Sequence, residues 1–134
     1  MCSKINKSIT VPILAKHNEI GEKGEKLACD YLLNKGYLLL EKNYRYRKSE
    51  LDLVMFYNAQ VVVVEVKTRS TNYFGEPFDF VDTKKQNMLI EGASGFLEER
   101  DNLDAEIRFD VVSILLNLDG THRIDHLEDA FGAY

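Results

Sequence analysis

Asp52, Glu65 and Lys67 carry the strongest chemical signal in the chain. Glu65 and Lys67 close the segment Val61-Val62-Val63-Val64-Glu65-Val66-Lys67, whose β-branched content predicts a strand. Side chains of a strand alternate between its two faces, so Val61, Val63, Glu65 and Lys67 fall on one face and Val62, Val64 and Val66 on the other. Upstream, Glu50 to Tyr57 also alternates, with Glu50 and Asp52 on one face and Leu51 and Leu53 opposite. Asn58-Ala59 separates the two segments. A two-residue turn there pairs Tyr57 with Gln60, sets Asp52 opposite Glu65 and Glu50 opposite Lys67. Two carboxylates directly opposed repel, and the arrangement makes sense with a positive charge between them. A hard divalent cation, Mg²⁺ or Mn²⁺, suits carboxylate oxygens and keeps several waters. Lys67 could orient or deprotonate an attacking water, or neutralise charge developing on a phosphate. The competing reading is a solvated hairpin face with ordinary Glu–Lys pairs. A one-residue slip in register would move Asp52 to the opposite face from Glu65.

The elements that must position these residues follow from pattern and punctuation. Asn18 to Lys35 reads as a helix, with Ile20, Gly24, Leu27, Ala28, Tyr31 and Leu32 on one stripe, Asn18 as N-cap and Gly36 as stop. Glu25 lies at the edge of that stripe, where it could lean toward a metal or remain solvated. Tyr37 to Tyr44 reads as a strand, ahead of the two described above. Thr68 to Asp79 reads as a loop. Thr83 to Arg100 is helical in pattern, although Gly92 and Gly95 weaken it. Ile107 to Leu116 is a nearly continuous apolar strand, and a short strand at His122 to Leu127 follows the turn signal Asp119-Gly120. The order is α-β-β-β-α-β with a possible addition at the end. Met1 to Lys16 reads as a loosely packed extension, which leaves residues 18–134 as one domain.

Bulk properties narrow the classes. The chain has 134 residues, which sets the expectation of one domain. Its 45% hydrophobic and 29% charged residues exclude wholesale disorder. No apolar run approaches the ~20 residues of a membrane helix, so no membrane partner is expected. Cys2 and Cys29 lack a CxxC spacing and fit a reducing, cytoplasmic setting better than a disulfide framework. The net charge of −5 argues against a protein that coats nucleic acid through bulk positive charge. The charge is unevenly spread, however. Lys35, Lys42, Arg45, Arg47 and Lys48 lie against Glu41 alone, while ten acids from Glu98 onward face only Arg100, Arg108 and Arg123. The basic stretch borders the Asp52 segment, and Arg69 and Lys85 add cations beyond Lys67.

Several features compete for a role. His122 and His126 are four apart, but no cysteine completes a zinc set, and a structural or surface role is the simpler reading. Gly21 and Gly24 lack the preceding strand of a phosphate-binding fingerprint. Tyr44, Tyr46, Tyr73, Phe74 and Phe78 could stack on bases, though packing is the commoner fate. Lys85 and Gln86 open the second helix, where they could meet a phosphate or simply be solvated.

Three stretches resemble the YraN-type family of small bacterial proteins. They are Gly21-Glu22-Lys23-Gly24-Glu25-Lys26-Leu27-Ala28, Ser49-Glu50-Leu51-Asp52-Leu53-Val54 and Val63-Val64-Glu65-Val66-Lys67-Thr68-Arg69. Weaker matches are Phe74-Gly75, Lys85 before Leu89, Arg108-Phe109-Asp110-Val111-Val112 and Asp129-Ala130-Phe131. The resemblance implies a restriction-endonuclease-like α/β fold, with a mixed central sheet flanked by helices, shared with archaeal Holliday-junction resolvases and other PD-(D/E)XK nucleases. By that likeness Glu25, Asp52 and Glu65 are the metal ligands, Asp52, Glu65 and Lys67 the catalytic set, and Glu50 a supporting acid. Arg45, Arg47, Lys48, Arg69 and Lys85 are the expected contacts to DNA. Branched or structured DNA is the implied substrate, and a homodimer would suit a near-symmetric junction. The family usually has Gly where this chain has Ser49. If that position needed a positive φ, Ser would strain the site. Two other functions stay open: a non-catalytic nucleic-acid-binding or adaptor module on the same fold, and an acidic protein-interaction domain.

Overall fold

A helix over Pro12–Asn34 (α1) opens the chain in the computed structural model, which describes residues 12–71, 81–101 and 104–132, with side chains from residue 18 onward. It starts earlier than Asn18, because proline suits a first helical position, where its missing N–H would be unsatisfied anyway. Gly36, at φ 100°, ends it as expected. The Gly36 N–H donates to the Leu33 carbonyl at 3.0 Å and the Tyr37 N–H to that of Leu32 at 3.0 Å. Three antiparallel strands follow: β1 (Leu38–Tyr46), β2 (Ser49–Tyr57) and β3 (Gln60–Ser70). The second helix, α2 (Thr83–Glu99), crosses over to β4 (Glu106–Leu116), and β5 (His122–Phe131) completes the sheet. The α-β-β-β-α-β order therefore holds, with β5 longer than its sequence pattern suggests. β3 also runs past Lys67, so Thr68 and Arg69 are strand residues rather than the start of a loop.

The sheet order is β1-β2-β3-β4-β5, mixed because β3 and β4 are parallel and the other pairs antiparallel. A parallel pair needs a crossover, and α2 supplies it. Asn58 (φ 55°) and Ala59 (φ 64°) both occupy the left-handed region that a type I′ hairpin turn requires. The register follows the two-residue turn from Tyr57↔Gln60 to Leu53↔Val64. One apolar cluster, with Ala28, Leu32, Leu53, Met55, Val62, Val64 and Val112, packs under α1. The other, with Leu51, Val54, Val61, Val63, Leu89, Ala93 and Phe96, packs under α2. Cys29 is one of the small buried residues of α1. Among the described residues no helix is long and apolar enough to cross a membrane.

The glycines that weaken the α2 pattern are what lets the helix lie close to the sheet. A β-carbon on Gly92 would come within 3.1 Å of Ser49 Cβ, and one on Gly95 would overlap the Tyr46 ring. Gly95→Ala should therefore cost about 1–3 kcal/mol through overpacking. In a Tyr46→Ala background the same change should become favourable by roughly 0.5–1 kcal/mol, the helix-propensity gain of Ala over Gly. A urea-unfolding double-mutant cycle reads this coupling. Additive effects would mean that Tyr46 does not set the helix distance.

Candidate metal centre

β2 and β3 part company where the chemistry begins. Leu53↔Val64 is the last pair of their ladder, so the Asp52–Glu65 and Glu50–Lys67 pairings expected from the hairpin do not form as ladder pairs. Leu51 lies in the α2-side cluster and Leu53 in the α1-side cluster, so the expected alternation also breaks at Asp52. Opposite on β1, Asn43 sits at φ 50°, a conformation asparagine tolerates better than most residues, between the pairs Lys42↔Leu53 and Tyr44↔Leu51. The Asp52 carboxylate uses the gap. Its Oδ2 accepts the backbone N–H of Val66 at 2.9 Å, binding the two strands beyond the end of their ladder. Asp52 and Glu65 thus still meet, through the side chain and not through strand register.

The pair is electrostatically loaded. Glu65 is 9% exposed, and its Oε1 is buried with no hydrogen-bond partner. Burial, together with the charges of Glu65 and Glu25, pushes the Asp52 carboxyl up to about 8 against the opposing pull of the Val66 N–H and Lys85. Burial likewise raises Glu65, with Lys85 and Lys67 working against the shift. Lys67 continues the same face of β3 as Val61 and Val63 and is half-buried. Lys85, in the first turn of α2, places its Nζ 3.7 Å from Glu65 Oε2.

The remaining expected residues are distributed as follows. Glu25 is close enough for its charge to be felt by Asp52, but its Oε1 accepts Asn43 Nδ2 at 3.1 Å. Glu50 turns to the neighbouring strand, where it faces Arg45 at 3.5 Å. Arg47 and Lys48 form the β1–β2 turn, and Arg47 reaches Glu91 at 3.6 Å while lying over the Tyr46 ring. Arg69 is half-buried and donates to the Thr68 carbonyl at 3.1 Å. Ser49 is accommodated without strain. It is absent from the positive-φ residues, and its buried hydroxyl donates to the Met88 carbonyl of α2 at 2.7 Å. Tyr44 and Tyr46 pack against Phe96 and Gly95, so neither ring is a free stacking platform. Tyr73, Phe74 and Phe78 lie outside the described residues. Gln86 uses its side chain to donate to the Val81 carbonyl at 2.8 Å.

Among the described residues no three His, Cys, Asp or Glu side chains close round one point as a ready-made metal cage. A magnesium-type ion does not require one, since it is commonly held by one or two carboxylates with waters and substrate phosphates. Asp52 and Glu65 fit that requirement. The unpartnered oxygen of buried Glu65, beside half-buried Asp52, is where a hard cation would relieve both the missing contact and the mutual repulsion.

A second polar constellation lies on the opposite face, under the end of α1. Asp110 is fully buried and takes both Nε and Nη2 of Arg108, at 2.9 and 2.8 Å. It also faces His126 Nε2 at 2.7 Å and accepts the Asp129 N–H at 3.0 Å. Lys35 Nζ lies 3.0 Å from His126 Nδ1. An ammonium only donates, so Nδ1 accepts and Nε2 carries the proton given to Asp110. Arg108 also donates to the Tyr37 hydroxyl at 2.7 Å, and Tyr37 stacks on Tyr57. Burial alone would raise the Asp110 carboxyl, but the bonds from His126 and Arg108 and the Asp129 N–H hold it below its ordinary value. His126 is thus a structural partner on a strand, as the lack of zinc companions implied. The sequence pattern around Arg108-Phe109-Asp110 does not reveal this network, because its members are brought together only by tertiary structure.

Comparison with known proteins finds relatives of the chain. The family model described as "Uncharacterised protein family UPF0102" matches residues 24–114, a span that includes Glu25, Asp52, Glu65, Lys67 and Asp110. A UPF0102 protein of Christiangramia forsetii is 47% identical over 118 residues, 88% of this chain and 98% of its own length. A UPF0102 protein of Syntrophomonas wolfei is 44% identical over 115 residues, covering 86% and 99%. One from Flavobacterium psychrophilum is 40% identical over 118 residues, covering 88% and 98%.

Proposed function

This chain belongs to the UPF0102 family, and we propose that it is a metal-dependent endonuclease of the PD-(D/E)XK type acting on DNA. One observation carries it: a buried carboxylate, Glu65, and a half-buried one, Asp52, meet beside Lys67 with Glu65 Oε1 unpartnered. Mg²⁺ or Mn²⁺ held by Asp52 and Glu65 would supply positive charge at the scissile phosphate and a more acidic bound water. Lys67, on the same strand face, donates hydrogen bonds to a phosphate oxygen or to the attacking water. Glu25 assists from the rim of the site, on the Asn43 side. Glu50 keeps Arg45 in place on the neighbouring strand.

DNA approaches over the β1–β2 turn. The Arg45–Glu50 and Arg47–Glu91 pairs are long and largely exposed, so they hold the guanidinium groups loosely. Phosphates can exchange with those carboxylates at little cost. Lys48 and Arg69 extend the same electrostatic path. No base-reading element accompanies them among the described residues, so backbone contact and DNA shape, including branched DNA, set the substrate. A cytoplasmic setting supplies both DNA and Mg²⁺, and two copies of the chain would serve a near-symmetric junction.

The test is cleavage of branched and linear DNA in Mn²⁺, run beside calorimetric Mn²⁺ titration. Glu65→Gln and Lys67→Ala should each lower the cleavage rate by about 100-fold or more. Asp52→Ala and Glu65→Ala should abolish saturable Mn²⁺ binding. Metal-independent DNA binding, no cleavage of any substrate and a harmless Lys67→Ala would instead establish the non-catalytic nucleic-acid-binding module.

A further inference from the structure

Lys85 finds its acidic side-chain partner across the fold, at Glu65, and not within its own helical turn. It occupies the first turn of α2, next to Lys84, and that turn contains no acid. A helix N-terminus carries partial positive charge, so cations there are disfavoured. Its backbone is fixed by the cap, with the Lys85 N–H donating to Asp82 Oδ1 at 2.8 Å. The head group is not so fixed. Lys85 is 45% exposed in its side chain, and its Nζ reaches Glu65 Oε2 only at 3.7 Å, too far for a good hydrogen bond. The other oxygen, Oε1, has no partner. A half-exposed ammonium therefore answers one side of a buried carboxylate and leaves the other bare.

Charge counting gives this arrangement a purpose. Asp52 and Glu65, when ionised, bring two negative charges, and Lys67 and Lys85 bring two positive ones. A divalent ion adds two more positive charges. Of the two lysines, Lys67 is carried on the strand itself, while Lys85 reaches in from the helix with its head at the solvent edge.

We propose that Lys85 is a built-in competitor for the cation position at Glu65: its ammonium stabilises Glu65 while no divalent ion is bound and is displaced when one arrives, turning on its flexible stem toward the incoming phosphate. This rests on the metal reading of the Asp52–Glu65 pair. It goes beyond a simple DNA contact, because Lys85 then couples the metal-free protein to the loaded one. The site keeps a cation at all times.

The experiment is calorimetric Mn²⁺ titration of the wild type, Lys85→Met and Lys85→Arg at one pH and ionic strength, with melting temperatures recorded without metal. Lys85→Met should bind Mn²⁺ roughly 5- to 50-fold more tightly than the wild type, the size of an ordinary coupling between two sites. Its metal-free melting temperature should be lower. Lys85→Arg keeps the charge and should bind Mn²⁺ no more tightly than the wild type. Lys85→Gln repeats the neutral test should the Met variant lose its cooperative transition. Wild-type binding with equal or weaker affinity in the neutral variants overturns the competitor role and leaves the metal site standing. No Mn²⁺ binding by any of the proteins overturns both.

Discussion

Asp110→Ala should be the most damaging single substitution away from the site, lowering unfolding free energy by about 3–5 kcal/mol, the usual cost of removing one partner from a buried ion pair. The size follows from what it strands. Arg108 is 12% exposed in its side chain and His126 is 3% exposed, and each would lose its main acceptor in a place water reaches poorly. The Asp129 N–H would be orphaned as well. Asp110→Asn keeps one acceptor oxygen and should cost less, because Arg108 retains a single bond in place of two. The pH dependence has a definite sign. The Asp110 carboxyl is lower in the folded state than its ordinary 3.8. Its contribution is therefore present above that value and disappears as pH falls through the depressed folded value. Urea unfolding of the wild type and both variants at neutral and acid pH checks this. An alanine variant as stable as the wild type at neutral pH would show that the network adds nothing to stability.

The strand register ties this network to the candidate site. Asp110 pairs with Val64 across the parallel β3–β4 ladder, and the next residue of β3 is Glu65. The bidentate Arg108 pair and the β5 contacts pin one face of that ladder, while the opposite face presents the carboxylate. A strand held rigidly on one side can present a strained pair on the other, which is how preorganised sites are built on sheets.

Features governed by near neighbours are legible in the sequence. Asn58-Ala59 sets the hairpin, the alternating segments set its register from Tyr57 to Leu53, and Gly36 ends α1. The Glu65–Lys67 face of β3 is legible for the same reason. What happens at Asp52 is not. The alternation breaks there opposite Asn43, which adopts a left-handed conformation on a different strand, and no spacing within β2 records that. The local reading also misses the choice of Glu50 for Arg45, since a cross-strand partner on β1 is nearer than Lys67. Lys85 looks like a first-turn surface lysine until α2 is laid on the sheet. Ser49 shows the converse case. The resemblance to a motif with glycine there suggests backbone strain, yet the Ser49 hydroxyl finds the Met88 carbonyl and its backbone is ordinary.

Asp52→Asn should make the metal-free protein more stable above about pH 8 and leave it little changed near pH 4. The Asp52 carboxyl has an ordinary value of 3.8 and is pushed up to about 8 in the folded chain, mainly by burial and then by Glu65. Between those values the folded protein holds a proton that the unfolded chain has released, so stability falls as pH rises and the loss is complete above about 8. A shift of this size corresponds to a penalty on the order of a few kcal/mol. Asparagine carries no charge to desolvate, and its carbonyl oxygen can still accept the Val66 N–H that Asp52 Oδ2 now accepts. The substitution therefore removes the penalty while keeping the strand contact. Divalent metal should reverse the ranking. Mn²⁺ stabilises the wild type in proportion to its binding and should do little for the variant, which lacks the charged ligand. Thermal unfolding across pH, with and without Mn²⁺, reads all four conditions. Parallel stability curves for the two proteins in the absence of metal would show that Asp52 is not under strain, and the electrostatic case for a cation between Asp52 and Glu65 would go with it.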